Sequence, residues 1–418
     1  MDNAPMSTTL SAEHAFADGV RLWQDGAADA AIERFRAALA LDPRLAPAHV
    51  NLGMLLEAAG AGDEALAHYR HAIAIAPQTF QAHLNLGALL AARKSFREAE
   101  AAYLNALGLD ATACAAWTNL GVLYACTGRE DLAEQCHRQA IALAPDYALA
   151  RFNLAYVLLR QGRFAEGWAM LEARPWVETM APSFGFGRWA GEALAGRDVL
   201  IVHEGGHGDL LQFCRYAPVL KARGVRRVGL VCPAALRCLL GSLDGVDAWY
   251  TLDAPPAQGW DCWLALLSLP HACATGVADM PARLPYLRAD PARIAAWRPR
   301  LEGAGLRVGL AWRGNPAFEN DADRSLPSLA TLAPLAHLRG VRLVGAVARE
   351  QMVHYFSAAD IFVVGSHHEG SGYAVLEACA CGALPAVSDI PAFRRITSDG
   401  AIGRLWTPGD PHACAVAL

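Results

Sequence analysis

Lysine is almost absent from this chain. Only Lys94 and Lys221 occur among its 418 residues, although lysine and arginine together number 36. Charged residues make up 18% of the sequence, and the formal net charge is −5. This balance argues against a nucleic-acid-binding surface. Any phosphate contact in the last third of the chain must therefore come from arginine, backbone amides or a helix dipole.

Paired cysteines, an export signal and long apolar runs are also missing. The 11 cysteines form no CxxC pair, so we interpret them as buried thiols in a reducing cytoplasm. A disulfide framework and a metal site are the alternatives. The first 14 residues show neither a basic start nor an apolar core, and no apolar run reaches the length of a membrane span. The sequence predicts a globular cytoplasmic protein of two to three domains, without a membrane span.

A period of 34 residues marks the first part of the chain: Asn-Leu-Gly begins at Asn51, Asn85 and Asn119, and Asn-Leu-Ala begins at Asn153. Small, aromatic and proline residues recur in phase, namely Ala31, Ala65, Ala99 and Ala133, then Phe35, Tyr69 and Tyr103, then Pro43, Pro77 and Pro145. Small residues let two helices approach, the aromatic ring fills the gap, and proline ends the second helix. The pattern resembles a tetratricopeptide array of four full repeats and a partial fifth, within residues 13–174.

Stacked repeats form a superhelix with a concave groove, which implies a protein or peptide partner. The asparagines that open the four motifs lie on one helix face at equal spacing, and in related arrays such asparagines clamp a peptide backbone. A hydrogen bond within the repeat, or a helix cap, is the alternative. Two positions depart from the pattern, because Ala111 replaces the expected proline and His137 replaces the aromatic residue.

Residues 175–196 are rich in proline, glycine and aromatic residues and predict a linker. A predicted strand, Arg197–His203, then leads through a glycine loop into a predicted helix, Leu210–Arg223. Further strands are predicted at Val228–Cys232 and Trp263–Leu269. This order predicts a doubly wound α/β domain over residues 197–303.

The segment GGHGDLLQFCRYAPVL, residues 205–220, resembles a bacterial group in which a tetratricopeptide array is fused to a heptosyltransferase-like catalytic region of the GT-B type. The resemblance makes Asp209 the candidate general base, which must reach the acceptor hydroxyl. Asp209 also suits a helix cap, and both interpretations stay open. His203 and His207 lie on either side of the loop. A zinc pair would need a third ligand, so we interpret them as structural or substrate-contacting.

A second strand, glycine loop and helix occur near the end of the chain. The apolar run Ile361–Val364 predicts a buried parallel strand. Glu369 and Glu377 lie on either side of the loop that follows. Such a loop offers backbone amides and a helix dipole to an anion, whereas carboxylates accept hydrogen bonds from sugar hydroxyls. The alternative is that both glutamates are solvated charges at a helix end.

Residues 341–411 resemble the nucleotide-sugar site of retaining GT-B glycosyltransferases with a Glu-x7-Glu motif. The resemblance implies that Glu369 contacts the transferred sugar and Glu377 the nucleotide ribose. It also implies that the backbone of Gly370, Ser371 and Gly372 faces the phosphates.

Arg324, and after it Arg313, are the candidates for a contact to the diphosphate, with solvated loop charges as the alternative. Arginines and helix dipoles neutralise a leaving diphosphate, so no metal or other cofactor is expected.

The second α/β domain, residues 304–418, begins like the heptosyltransferase-like group and ends like the Glu-x7-Glu group. It is short, and it lacks the lysine of the Arg/Lys pair usual in the second group. Five strands are predicted, at residues 308–312, 341–347, 361–364, 383–387 and 403–406. A base at Asp209 implies inversion of the sugar configuration and the glutamate pair implies retention, so the stereochemistry stays open.

The sequence therefore predicts a multidomain protein: an all-α tetratricopeptide superhelix, followed by two Rossmann-like α/β domains of the GT-B type, the second one shortened. The expected function is glycosyl transfer from a nucleotide sugar to a protein or peptide that the repeats recruit. The main alternative is a non-catalytic scaffold that carries a degenerate transferase domain. A third interpretation has a lipid-linked sugar or a polysaccharide as the acceptor.

Overall fold

The computed structural model describes residues 11–180, 183–283, 285–301, 308–311, 361–364, 375, 379, 383–408, 410, 413 and 416. The chain divides into two compact units, Met1–Pro175 and Trp176–Leu418. The described part of the first unit is helical, and the second unit contains two parallel β-sheets.

The first unit is an array of helix pairs, each with a first and a second helix. The described first helices are α1 (Ala12–Gln24), α3 (Ala46–Ala58), α5 (Phe80–Ala92), α7 (Cys114–Cys126) and α9 (Ala148–Arg160). The second helices are α2 (Ala28–Leu41), α4 (Gly62–Ile75), α6 (Phe96–Leu109), α8 (Glu130–Leu143) and α10 (Phe164–Leu171). From α3 to α9, consecutive first helices contact one another, which places them on the inner side of the array. The predicted tetratricopeptide superhelix is confirmed.

Within each of the first four pairs, a glycine lets the two helices approach closely. A Cβ atom on Gly53 would lie 2.6 Å from Cε1 of Tyr69. Gly19 with Phe35, Gly87 with Tyr103, and Gly121 with His137 repeat this arrangement at 2.6–2.7 Å. The ring occupies the space that a side chain would need, so the predicted role of the small and aromatic positions is confirmed.

A second periodic contact joins the second, third and fourth helix pairs to the chain segment that precedes each of them. The Nε2–H groups of His49 and His83 donate to the carbonyl oxygens of Pro43 (3.1 Å) and Pro77 (2.9 Å). At the equivalent position, Nε1–H of Trp117 donates to the carbonyl oxygen of Ala111 at 2.9 Å. These bonds satisfy carbonyl groups just beyond the end of a second helix, and sequence reasoning missed them.

The first sheet of the second unit has strands β1 (Asp198–Val202), β2 (Arg227–Cys232), β3 (Ala248–Thr251) and β4 (Cys262–Ala265). All neighbouring strands are parallel, in the order β3-β2-β1-β4. The α-helices of this part of the chain are α11 (Val177–Met180), α12 (His207–Phe213), α13 (Tyr216–Ala222), α14 (Arg237–Leu240), α15 (Leu269–Ala272) and α16 (Pro291–Leu301). Short 3₁₀ turns occupy Ala234–Leu236 and Leu266–Ser268.

The predicted long helix after the glycine loop is wrong, because the chain breaks between α12 and α13. Pro218 is the third residue of α13. Proline has no N–H, and its ring clashes with the carbonyl group four residues earlier, so one continuous helix cannot run through Cys214. The amide of Ala217 instead bonds to the carbonyl oxygen of Cys214 at 3.0 Å. Proline in the first turn then suits the start of a new helix.

The strands of this sheet differ from the prediction in two places. The strand predicted at Trp263–Leu269 ends at Ala265, where a 3₁₀ turn follows. β3 was not predicted at all, since its four residues are only half-buried at the edge of the sheet. Within the segment predicted as a linker, Val177 is buried against a cluster with Trp260 and Trp263, and neighbouring aromatic side chains join it.

The second sheet has strands β5 (Val308–Ala311), β6 (Ile361–Val364), β7 (Leu384–Ser388) and β8 (Arg404–Trp406), all parallel and in that order. The helix α17 (Pro391–Ile396) follows β7. Four of the five predicted strands are thereby confirmed. The fifth, at residues 341–347, lies outside the described residues.

The described cysteines are free thiols, as expected. Their predicted burial is right for Cys136, Cys214, Cys232, Cys262 and Cys273 but wrong for the exposed Cys126 and Cys238. None of the helices among the described residues is long and apolar enough to cross a membrane.

Candidate functional site

The strand order of the first sheet indicates where on the sheet a ligand would bind. The chain runs from β1 to β2 and β3 on one side, and β4 lies on the other side of β1. In open parallel sheets, ligands bind at the carboxyl ends of the strands where the order reverses, here between β1 and β4. The glycine loop, residues 203–206, follows β1 at this edge, and the turn Leu266–Ser268 follows β4.

A buried carboxylate joins the two sides of this position. Glu204 Oε1 accepts a hydrogen bond from the backbone N–H of Leu267 at 2.8 Å. Its Oε2 accepts from the indole N–H of Trp176 at 2.9 Å. Buried carboxylates require such partners, so Glu204 fixes the glycine loop to the end of β4 and to the segment before the sheet. Sequence reasoning missed Glu204; the available signal was a carboxylate near the end of a buried strand.

The candidate base Asp209 lies in the first turn of α12 and binds the backbone of the glycine loop. It is the third residue of α12, and its Oδ2 accepts from the backbone N–H of Gly206 at 2.6 Å. The cap position belongs to Gly206, so the expectation that Asp209 itself is the cap is wrong. A carboxylate at the third helical position commonly reaches back in this way. Gly205 has a φ of 74°, and a Cβ there would lie 2.6 Å from Asp209 Oδ2, which requires glycine.

The two histidines of the loop lie near each other, with ring centroids 6.5 Å apart. Burial, helped by the nearby His207, lowers the pKa of His203 to about 4, whereas Asp209 opposes the change. His203 is therefore neutral at pH 7. No group of three or more histidine, cysteine or carboxylate side chains in the described part of the chain is placed to hold a metal ion.

The four predicted groove asparagines occupy equivalent, half-buried positions on α3, α5, α7 and α9. Asn85 Oδ1 accepts from Nε2 of Gln81 at 2.7 Å, so the alternative of a bond within the repeat applies there. The side chains of Asn51, Asn119 and Asn153 form no hydrogen bond with any other described residue. Three carboxamides on the inner side of the array are thus available to a ligand.

Apolar side chains accompany these asparagines towards the end of the array. Val122 and Tyr156 follow Asn119 and Asn153 by three residues, and both are exposed. Residues three apart share a helix face. Leu149, also exposed, precedes Asn153 by four residues on the same face. The inner side therefore combines hydrogen-bonding and apolar groups, as a peptide-binding surface requires.

Comparison with known families agrees with both halves of this description. Residues 22–83 and 119–170 match tetratricopeptide-repeat families. Residues 329–418 match the family described as Glycosyl transferases group 1. The chain carries a tetratricopeptide array and a group 1 glycosyltransferase domain.

Curated relatives resemble parts of the chain. Protein FlbA of Caulobacter vibrioides is 30% identical over 223 residues, which cover 48% of this chain and 37% of that protein. D-inositol 3-phosphate glycosyltransferase of Geodermatophilus obscurus is 35% identical over 129 residues, 31% of this chain and 26% of that enzyme. GDP-mannose:cellobiosyl-diphosphopolyprenol alpha-mannosyltransferase of Xanthomonas oryzae pv. oryzae is 40% identical over 63 residues, 15% and 17% of the two chains. The chain thus spans well under half the length of these relatives.

Among solved structures, MamA is 20% identical with a TM-score of 0.35, covering 37% of this chain and 91% of that one. A thermophilic tetratricopeptide protein of Thermus thermophilus is 23% identical with a TM-score of 0.34, covering 41% and 90%.

The predicted donor site of the group 1 domain lies outside the described residues: Arg313, Arg324, Glu369, Gly370, Ser371, Gly372 and Glu377. Their roles stay predictions. Several residues near them in the sequence lie within the described part of the structure. Val375 is buried against Phe362 and Val387 of neighbouring strands. After β7, the amide of Asp389 donates to the carbonyl oxygen of Trp406 at 2.6 Å, and Arg394 Nη2 donates to Asp389 Oδ2 at 2.6 Å. These bonds tie the end of β7 to β8 and α17.

Proposed function

We propose that the group 1 domain transfers a sugar from a nucleotide sugar to a protein or peptide that the repeat groove recruits. One observation carries the proposal. A group 1 glycosyltransferase domain occurs in the same chain as a groove in which Asn51, Asn119 and Asn153 have no hydrogen bond to other described residues.

The donor half of the proposal assigns a role to each predicted residue. Glu369 and Glu377 accept hydrogen bonds from the hydroxyls of the sugar and of the ribose. The amides of residues 370–372 and the guanidinium of Arg324, with Arg313 second, neutralise the diphosphate as it leaves. These groups need no metal ion. Asp209 is our candidate for the base that takes the proton of the acceptor hydroxyl as the new glycosidic bond forms.

The acceptor half follows from the chemistry of the groove. A carboxamide offers both a donor and an acceptor, which is what the backbone of an extended peptide presents. Packed helices lie about 10 Å apart, and an extended chain rises about 3.4 Å per residue. Consecutive asparagines would therefore meet about every third residue of the peptide. Val122 and Tyr156 would contact apolar side chains between these points.

Calorimetry of the full chain with uridine, guanosine and adenosine diphosphates tests the donor half. We expect one of the three to bind. Glu377→Ala and Arg324→Ala should each weaken that binding by about 10-fold or more, since each removes a hydrogen bond to a charged group. Glu33→Ala, which changes an exposed glutamate of α2, is the matched control and should bind like the wild type. Absence of binding to all three would favour the scaffold.

A displayed library of random 12-residue peptides tests the acceptor half with the same protein. The combined change Asn51→Ala, Asn119→Ala and Asn153→Ala should abolish enrichment, whereas Gln139→Ala, on an exposed position of α8, should not. Enriched peptides should then accept labelled sugar from the matching nucleotide sugar. Enrichment that survives the triple change contradicts the groove. Sugar-nucleotide hydrolysis without any labelled peptide contradicts a peptide acceptor and favours a lipid-linked or polysaccharide one.

A further inference from the structure

Ion pairs connect the second helices of neighbouring repeats at a fixed position. Arg36 pairs with Glu64 at 3.4 Å, Arg70 with Glu98 at 2.9 Å, and Arg138 with Glu166 at 2.7 Å. The arginine positions and the glutamate positions both follow the 34-residue period. Three of the four junctions between the described helix pairs therefore carry an arginine–glutamate pair at this position of their second helices.

One junction breaks this rule. One period after Arg70 and Glu98 stand Leu104, on α6, and Leu132, on α8. Their exposed fractions are 50% and 40%. Two apolar side chains thus face outward where the other junctions carry opposite charges.

The ion pair of Arg129 with Glu100, at 2.9 Å, lies at one end of this junction, and the surface beside Leu104 on α6 is made of small uncharged groups. Ala101, Asn105 and Gly108 are exposed on α6 beside Leu104. Alanine and glycine leave room for another surface to come close to the leucine side chains. We call Ala101, Leu104, Asn105, Gly108 and Leu132 the leucine patch.

We propose that two copies of this chain associate through the leucine patch, around a two-fold axis that passes between Leu104 and Leu132. A two-fold contact requires a surface that is complementary to itself. The leucine patch has this property because the two junctions that flank it, Arg70–Glu98 and Arg138–Glu166, have the same composition.

The charges around the patch favour a second copy over another partner. The rotation brings the Arg70–Glu98 pair of one copy against the Arg138–Glu166 pair of the other. Each pair contains one cation and one anion, so opposite charges can face each other on both sides. A strongly acidic or basic partner would instead meet a like charge in each flanking pair, and such contacts are unfavourable.

The size of the surface sets the expected affinity. A helix of 14 residues is about 21 Å long, and packed helices lie about 10 Å apart. The patch and its flanks on four helices would bury about 600 Å² per copy. This is less than the roughly 800 Å² per partner of a standard stable interface. The dimer should therefore be weak and reversible, with a Kd of roughly 10–100 µM.

Sedimentation velocity of the full chain tests the proposal, over concentrations from well below to well above that range. The wild type should pass from monomer to dimer. The double change Leu104→Arg and Leu132→Glu rebuilds the missing ion pair and should weaken association at least about 10-fold without disturbing the array. Leu109→Ser is the matched control, because Leu109 lies on the same helix, is 41% exposed and is outside the patch.

Circular dichroism checks that the double variant keeps its helices. If it does not, Leu104→Gln alone replaces it, since an exposed leucine to glutamine change leaves helix propensity almost unchanged. A wild type that stays monomeric at every concentration overturns the proposal. So does a dimer that the leucine substitutions leave intact, or one that Leu109→Ser disrupts equally.

Discussion

His137 is the residue at which the repeat pattern and the chemistry of the interior disagree. Its side chain is fully buried against Gly121, in the space that Phe35, Tyr69 and Tyr103 fill in the other repeats. Neither ring nitrogen has a hydrogen-bond partner among the described residues. Burial lowers its pKa to about 4. An imidazole held in this way stabilises the array less than a phenyl ring would.

His137→Phe should therefore increase the stability of the fourth repeat at pH 7 by about 1–3 kcal/mol, the usual effect of removing unsatisfied buried polar groups. The pH dependence has a definite sign. The unfolded state, with a pKa near 6.5, binds a proton more readily than the folded state, with a pKa near 4. Wild-type stability is thus complete above pH 6.5 and falls by up to about 3 kcal/mol as the pH drops towards 4. Hydrogen exchange of amides in α7 and α8, at pH 7 and pH 5, measures both effects.

His68 provides the control for this comparison, because its pKa is also lowered to about 4 and it stays unchanged in the variant. The variant should keep the part of the acid sensitivity that His68 causes in the second repeat and lose the part in the fourth. If the amide exchange of α7 and α8 depends on pH to the same extent in the wild type and in His137→Phe, then His137 is not the cause of the acid sensitivity of the fourth repeat.

At the scale of elements, the sequence predicts those helices and strands whose residue pattern repeats or is continuous over a short stretch of chain. The helix pairs of the array follow from positions one period apart, such as Gly53 with Tyr69 in one repeat and Gly87 with Tyr103 in the next. Strands such as Ile361–Val364 follow from a short apolar run. Contacts between distant residues carry no such signal. Glu204 accepts hydrogen bonds from Trp176 and Leu267, which are 28 and 63 residues away in the sequence. The residues next to Glu204 therefore do not indicate its role.

The bonds of Glu204 make a prediction about the loop after β1. Glu204→Gln replaces one of two acceptor oxygens by an N–H₂ group, which then faces either the amide of Leu267 or the indole N–H of Trp176. The loop should lose about 1–3 kcal/mol of local stability, the usual cost of an unsatisfied buried donor. Hydrogen exchange of the Leu267 amide measures the change. Trp176→Phe removes one donor and should cost less.

Asp244→Asn is the control for this element, since it changes an exposed carboxylate of the same unit. It should leave the exchange of Leu267 unchanged. If Glu204→Gln also leaves that exchange unchanged, the loop is held by other contacts, and the assigned function of Glu204 is wrong.

At the scale of the whole molecule, the boundary between the two compact units lies earlier than the aromatic-rich segment suggests. Trp176 and Val177 are the first residues of the second unit. Trp176 donates a hydrogen bond to Glu204 in the loop after β1, and Val177 packs against residues of the first sheet. A repeat array is stabilised by contacts between neighbouring repeats, and a domain has its own core. Each unit should therefore keep its stability without the other, provided that the cut respects this boundary.

Two shortened chains test where that boundary lies. A chain that begins at Trp176 keeps the indole bond to Glu204 and the buried side chain of Val177, so the amides of the first sheet should exchange as slowly as in the full chain. A chain that begins at Arg188 loses both, together with Phe184 and Phe186 from the same cluster. It should lose at least about 3 kcal/mol, from one buried aliphatic side chain and one hydrogen bond alone. That is a large share of the roughly 5–15 kcal/mol of a typical domain. Equal exchange in the two shortened chains would mean that residues 176–187 are a linker after all.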